Sequence, residues 1–264
     1  MNTLEKIVAD KRELIRGVEP VIPISELKRA VHYHRQPISL KERLDDKMVP
    51  GFIAEFKRKS PSKGDIHKDA DVLKITKGYE TTGADAISVL TDQKYFGGTN
   101  ADLIEARSVV NCPILRKDFT ISSYQIHEAK AIGADLILLI AAVLTEEEIL
   151  RYSEIAHDLG LEVLLEIHSL DELHDSYLES IDILGVNNRN LKTFNTSIQN
   201  SIDIYKALPG QITKISESGL SSMHDVNRLF ECGYKGFLIG EQFMKSDDPP
   251  SELQIFLKDV KIGA

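Results

Sequence analysis

The sequence predicts a closed (β/α)8 barrel, the TIM-barrel architecture, carrying an N-terminal helical extension. Three observations lead there. Eight short apolar runs recur along the 264 residues, each followed by a stretch with helical character. Their start-to-start spacing runs from 22 to 34 residues with a mean of about 26, the length that a strand plus a crossover helix needs. The runs are rich in Val, Ile and Leu and continuous, not alternating, as expected for a parallel sheet covered by helices. An open doubly wound sheet is the alternative, but eight regular units with no long interruption favour closure.

The strands are expected to begin near Phe52 (FIAEF), Ala86 (AISVL), Cys112 (CPILR), Asp135 (DLILLI), Leu161 (LEVLLE), Ile183 (ILGVN), Thr213 (TKIS) and Gly236 (GFLIG). Residues 145–158 illustrate the helices between them. Thr145 can cap the first turn, Glu148 three residues on completes a capping box, and Ile149, Tyr152, Ile155 and Ala156 fall at helical spacing. Gly83, Gly133, Gly160 and Gly233 each follow a predicted helix, where glycine permits the left-handed conformation that ends it. Ahead of the first strand lie two amphipathic stretches, 4–16 and 24–32, and residues 1–48 are read as a helical extension packed on the barrel. No Pro/Gly/Ser-rich linker divides the chain, so residues 1–264 are read as one domain, of the size usual for such a barrel.

With 42% hydrophobic and 28% charged residues, the composition is that of a globular protein and excludes a disordered chain, a collagen-like fibre and a disulfide-stapled miniprotein. Lys and Arg number 32 against 41 Asp and Glu, a net charge of −9. An acidic surface without a basic run speaks against a nucleic-acid partner. Cys112 and Cys232 sit in apolar surroundings and read as two buried thiols in a reducing compartment. The first residues lack the apolar segment of a signal peptide. The longest apolar run, Leu136 to Leu144, has nine residues, where a membrane span needs ~18 or more. A cytoplasmic protein without membrane contact is expected.

A packed barrel carries its active site at the C-terminal ends of its strands. Period-two alternation puts Ile53, Glu55 and Lys57 on one face of the first strand, Leu115 with Lys117 on the third, Leu164 with Glu166 on the fifth, and Asn187 with Arg189 on the sixth. These charges can converge on one mouth. Each taken alone also fits a surface charge or a structural ion pair at the rim; four strand ends together argue against that. Glu55 lies within an apolar strand and needs a partner if buried, and Lys57 is the obvious one. After the seventh strand comes Ser216-Glu217-Ser218-Gly219, and after the eighth Gly240-Glu241. A lone Ser-Gly reads as a simple turn. Paired with Gly240 at the matching position of the next strand, it reads as a phosphate grip of close backbone approach and free amides. Such a pocket takes a phosphorylated small molecule.

The segment Ile53-Ala54-Glu55-Phe56-Lys57-Arg58-Lys59-Ser60-Pro61-Ser62-Lys63-Gly64 resembles the first-strand signature of the indole-3-glycerol-phosphate synthase family of tryptophan biosynthesis. Further matches follow in order: Ser88 to Asp92 with Phe96-Gly97-Gly98, Leu115 to Phe119, Leu165-Glu166-Ile167, Gly185 to Arg189, Glu217-Ser218-Gly219, and Leu238 to Glu241. The resemblance spans the barrel and reaches the N-terminal extension, which the family also carries. Asn190 stands where many relatives have Asp.

The resemblance implies a carboxy-lyase acting on 1-(2-carboxyphenylamino)-1-deoxyribulose 5-phosphate, with no metal or organic cofactor. Carried over by position, Lys117 matches the general acid, and Glu166 and Glu55 match carboxylates that act as base or orient the lysines. Lys57 matches a second lysine near the substrate, and Asn187 a substrate-orienting amide. Ser60 and Arg189 match the anthranilate-carboxylate side, while Phe96 and Phe119 match apolar walls of the ring pocket. Ser218, Gly219, Gly240 and Glu241 match the phosphate loop, Glu241 through its backbone N–H. A lysine held by a carboxylate can donate and be reprotonated, provided its pKa stays near neutrality. A monomer or weak homodimer is expected. The competing readings are another phosphosugar barrel, such as the phosphoribosylanthranilate isomerase of the same pathway, and a non-catalytic phosphosugar binder. The isomerase needs a Cys or Asp pair at strand ends, and here the first strand ends in Glu55 and Lys57.

Overall fold

The computed structural model describes residues 3–173, 179–190 and 195–258. Eight parallel strands close into a barrel: β1 (Gly51–Phe56), β2 (Ala86–Leu90), β3 (Ile114–Lys117), β4 (Leu136–Ile140), β5 (Glu162–Ile167), β6 (Ile183–Asn187), β7 (Thr213–Glu217) and β8 (Gly236–Ile239). Each pairs with its neighbours in sequence, and β8 pairs back to β1, with Gly51 opposite Gly236 and Ala54 opposite Ile239. Strand starts fall within two residues of those expected. Closure is the physical answer to eight strands that are buried along nearly their whole length, because it leaves no sheet edge unpaired.

Helices follow the strands on the outside, among them Val72–Thr82, Asn100–Val109, Ser123–Ile132, Glu146–Asp158 and Met223–Cys232. Thr145 and Glu148 form the expected capping box. Gly83, Gly133 and Gly233 end their helices in the left-handed conformation, and Gly160 adopts it one residue beyond its helix cap. None of the helices among the described residues is long and apolar enough to cross a membrane. Cys112 is buried as expected, but Cys232, in the last turn of its helix, is only half-buried; both are free thiols.

The strands feed two separate apolar layers. Phe52, Ala54 and Phe56 of β1, with Val163 and Leu165 of β5, face the helices. Ile53, Leu115, Leu164, Ile183, Ile215 and Leu238 face the barrel axis and fill it. The positions two residues beyond these inward groups are 55, 117, 166, 185, 217 and 240. That register decides which side chains reach the mouth.

The extension packs on both ends of the barrel. Helix α1 (Thr3–Val18) crosses the end of the barrel formed by the strands' C-termini, where buried Lys11 pairs with Asp92 at 2.8 Å and Asp118 at 2.7 Å. The second amphipathic stretch is shorter than expected: α2 covers only Ile24–Leu27, and turns follow. Helical continuation would place Val31 beside buried Leu27, yet Val31 is 90% exposed. The chain is instead pinned by Tyr33 on His127 (2.6 Å) and Arg35 on Asp135 (2.6 Å). A third helix that the periodicity did not reveal, α3 (Leu40–Asp45), plugs the opposite end. Its Leu40 and Leu44 are fully buried among the inward layer, and a Cβ at Gly51 would lie 2.3 Å from Leu44.

Leu44→Ala should therefore cost about 2–5 kcal/mol of stability in urea unfolding, as for other fully buried leucines. Leu14→Ala, at a site that is 56% exposed, should stay within about 0.5 kcal/mol. Equal effects would mean that α3 is not part of the core.

Candidate active site

The inward register delivers charge at the C-terminal ends of the strands. From β1, Glu55 and Lys57 emerge together, Nζ of the lysine donating to Glu55 Oε1 at 2.8 Å. From β3, Lys117 Nζ reaches Glu166 Oε2 of β5 at 2.8 Å and Glu217 Oε2 of β7 at 2.7 Å. From β6, the Asn187 side chain bonds Glu166, and its Oδ1 accepts from the backbone N–H of Arg189 at 2.9 Å. Alternation also explains the neighbouring arginine. Arg116 points outward, where it bonds Glu128, Thr91 and the Gln125 carbonyl; Lys117 points in.

These groups line a cavity of about 420 Å³, and every expected site residue borders it. Phe96 and Phe119 stand at one wall with ring centroids 6.2 Å apart. Ser60 and Arg189 line the rim, where Arg189 Nη1 donates to Ser62 at 3.2 Å and Nη2 lies 3.5 Å from the Glu241 carboxylate. The Glu241 side chain therefore turns toward a cation, and Lys63 stands 3.8 Å away on its other side. Beyond β7, Ser218 and Gly219 both have positive φ, 66° and 71°. For serine this conformation costs of order 1 kcal/mol. It is held by Asn188, whose Nδ2 donates to Ser218 O at 3.1 Å and Ser216 Oγ at 2.9 Å. Two glycines make room for carboxylates: a Cβ at Gly185 would lie 2.4 Å from Glu217 Oε1, and one at Gly240 would lie 2.5 Å from Glu55 Oε1.

The electrostatics separate the two carboxylates on Lys117. Burial alone would lower the lysine, but Glu166, Glu217 and Glu55 outweigh it and hold the ammonium well above its ordinary value. Burial would raise Glu166, yet Lys117, His168 and the bond from Asn187 keep it well below the usual glutamate range. Glu217 goes the other way: burial and the charges of Glu166 and Glu55 push it up, against Lys117. Its Oε1 is buried without a hydrogen-bond partner among the described residues. The site thus holds a Glu166 that favours its ionised form, a Glu217 that binds its proton more tightly than an ordinary glutamate, and a lysine pushed away from neutrality rather than toward it.

Two groups at the centre of this network were not singled out from the sequence. Glu217 lies two residues past Ile215, so the alternation that selected Glu166 also selects it. His168 lies two past Glu166 on the same face, with Nε2 3.4 Å from Glu166 Oε1. A third contribution had no sequence signal: Thr3, Leu4 and Ile7 of α1 close one side of the cavity.

The sequence model of the family described as indole-3-glycerol phosphate synthase matches residues 4–256. An indole-3-glycerol phosphate synthase of Bacteroides thetaiotaomicron is 46% identical over 259 residues, covering 98% of each chain. One from Carboxydothermus hydrogenoformans is 40% identical over 261 residues, covering 96% of this chain and 99% of the relative. Among solved structures, a thiamine phosphate pyrophosphorylase from Pyrococcus furiosus superposes with a TM-score of 0.58 at 15% identity, over 80% of this chain and 95% of that one. That likeness is one of fold.

The raised Glu217 carboxyl has a defined signature. Its contribution to stability is greatest when it is protonated, below the unfolded value of about 4.3, and is lost as pH rises through the higher folded value. Glu217→Gln, a neutral isostere of the protonated group, escapes that loss. The Tm of the variant relative to the parent should therefore rise between about pH 5 and pH 8. A pH-independent difference would show that Glu217 is ionised throughout.

Proposed function

The chain belongs to the indole-3-glycerol phosphate synthase family, and from that premise we propose that it converts 1-(2-carboxyphenylamino)-1-deoxyribulose 5-phosphate to indole-3-glycerol phosphate. In this reading it is a carboxy-lyase of tryptophan biosynthesis. The observation that carries the assignment is the Lys117 ammonium, shared between Glu166 and Glu217 and facing a cavity that ends at the Ser218-Gly219 and Gly240 turns.

The phosphate sits at the backbone of Ser218, Gly219, Gly240 and Glu241, where the strained turn leaves little side-chain bulk. The anthranilate ring lies against Phe96 and Phe119, its carboxylate toward Ser60 and Arg189. As the ring carbon attacks the ribulose carbonyl, negative charge grows on the carbonyl oxygen. A lysine held well above its ordinary value is a poor donor to a neutral ketone. It is a strong stabiliser of the developing alkoxide, and it gives up its proton once that charge has formed. Carbon dioxide then leaves with its bonding pair returned to the ring. Loss of the hydroxyl as water, with removal of a proton by ionised Glu166, completes the indole. Glu55 and Lys57 act as a second acid–base pair, and Asn187 orients Glu166 and the substrate. The chemistry asks for no metal or organic cofactor, because ring attack itself creates the electron sink for decarboxylation.

Each chain carries the whole residue set, so a monomer or weak homodimer suffices. The free thiols of Cys112 and Cys232 suit the reducing cytoplasm. Neither lies at the cavity, which disfavours the isomerase reading.

The purified protein given the carboxyphenylamino-deoxyribulose phosphate should produce rising indole fluorescence, read against a low background because the chain has no Trp. Lys117→Ala should lower kcat by about 10²–10⁴-fold and leave binding of a reduced substrate analogue nearly intact. Absence of product from the parent, with the analogue still bound, refutes the lyase assignment. Joint loss of turnover and binding in the variant makes Lys117 structural.

A further inference from the structure

His168 is buried at the mouth of the cavity, its side chain only 9% exposed. Its ring lies between two carboxylates. Nδ1 is 3.3 Å from Glu172 Oε2, which also accepts the backbone N–H of His168 at 2.8 Å. On the other side Nε2 is 3.4 Å from Glu166 Oε1 and makes no hydrogen bond among the described residues. The backbone carbonyl of His168 accepts from Asn200 Nδ2 at 3.2 Å, which anchors the residue to the helix after β6. Glu166 is thereby addressed at both oxygens, Oε2 by Lys117 and Oε1 by His168.

We propose that His168 is a positioning residue of this site: its ring, pinned by Glu172, holds Glu166 Oε1 so that Oε2 stays on Lys117 and the carboxylate stays aimed into the cavity. This rests on the reading of Glu166 as the base. The argument is one of donor count. A neutral imidazole has a single N–H, and whichever nitrogen carries it, the other would turn a lone pair on a carboxylate oxygen. Only the imidazolium offers a donor to both. The charged groups around it agree. Burial works against the imidazolium, while Glu172, Glu166 and Glu217 favour it and raise the group from its ordinary value. Lys117, the nearby cation, is already engaged by Glu166 and Glu217. A positive ring beside Glu166 keeps that carboxylate ionised, so the base is ready at lower pH than burial alone would allow.

Removing the ring should therefore move the acid limb of the kcat–pH profile upward as well as lowering kcat. His168→Leu is expected to lose about 10–100-fold in kcat, the scale for a misaimed catalytic group, with KM for the phosphorylated substrate within about threefold. His168→Gln, which keeps one N–H for Glu166, should recover part of kcat and part of the acid-limb shift. An unchanged acid limb in His168→Leu overturns the proposal, as does His168→Gln no better than His168→Leu. A separate measurement needs no turnover. In ¹⁵N-labelled parent protein near neutral pH, both His168 ring nitrogens should show imidazolium shifts, and in Glu166→Gln the ring should titrate at lower pH. Identical titration in the two proteins refutes the positioning role. A parent without activity refutes the lyase reading alone and leaves this measurement to decide on His168.

Discussion

Lys117 Nζ, 2.8 Å from Glu166 and 2.7 Å from Glu217, neutralises a mouth that would otherwise gather buried like charges. Glu55, Glu166 and Glu217 emerge from β1, β5 and β7, and each is at most about 5% exposed. Against them stand Lys57 and Lys117, with the His168 ring 3.4 Å from Glu166 and shared with Glu172. Like charges crowded at low dielectric raise the proton affinity of the least compensated carboxyl. The geometry selects Glu217, whose second oxygen has no donor among the described residues, over Glu166, whose carboxylate has Lys117, His168 and Asn187. Two carboxyls with opposed proton affinities on one lysine form the arrangement that acid–base chemistry uses.

The rest of the fold holds that arrangement still. The inward apolar layer sets the height at which each strand turns polar, and α3 seals the far end. Above the mouth, the Lys11 pairs with Asp92 and Asp118 tie α1 to the residues that follow β2 and β3, so Phe119 and Lys117 are buttressed from outside. Burying such pairs contributes little net stability, since desolvation offsets attraction. Their effect is on position, because breaking one partner leaves the other stranded.

Much of this was legible along the chain. Continuous Val/Ile/Leu runs at a regular spacing mark parallel strands, and period-two alternation from a core residue names the side chain at each mouth position. Thr145, Glu148 and the glycines after helices read correctly because their causes lie within a few residues. The second amphipathic stretch was over-read as a helix to residue 32, since hydrophobic spacing carries no record of Val31 facing solvent. Glu217 obeys the same alternation as Glu166 yet was absorbed into a phosphate-turn motif. His168 lies two residues past Glu166 on the same face but just beyond the apolar run, where a histidine carries no signal of its own.

By itself, then, the sequence determined the barrel, its register and most of the strand-end charges at the cavity, because those follow from local periodicity and from burial on two faces, while the ring-pocket residues Phe96 and Phe119 came from the family resemblance. Only the tertiary structure decided which carboxylate shares which cation, which lies open to protonation, and that α1 and α3 close the two ends. Charge balance depends on distances between groups some 50 to 100 residues apart, and no pattern along the chain encodes whether a third carboxylate stands 3 or 8 Å from a lysine. At short range and low dielectric that difference moves a proton.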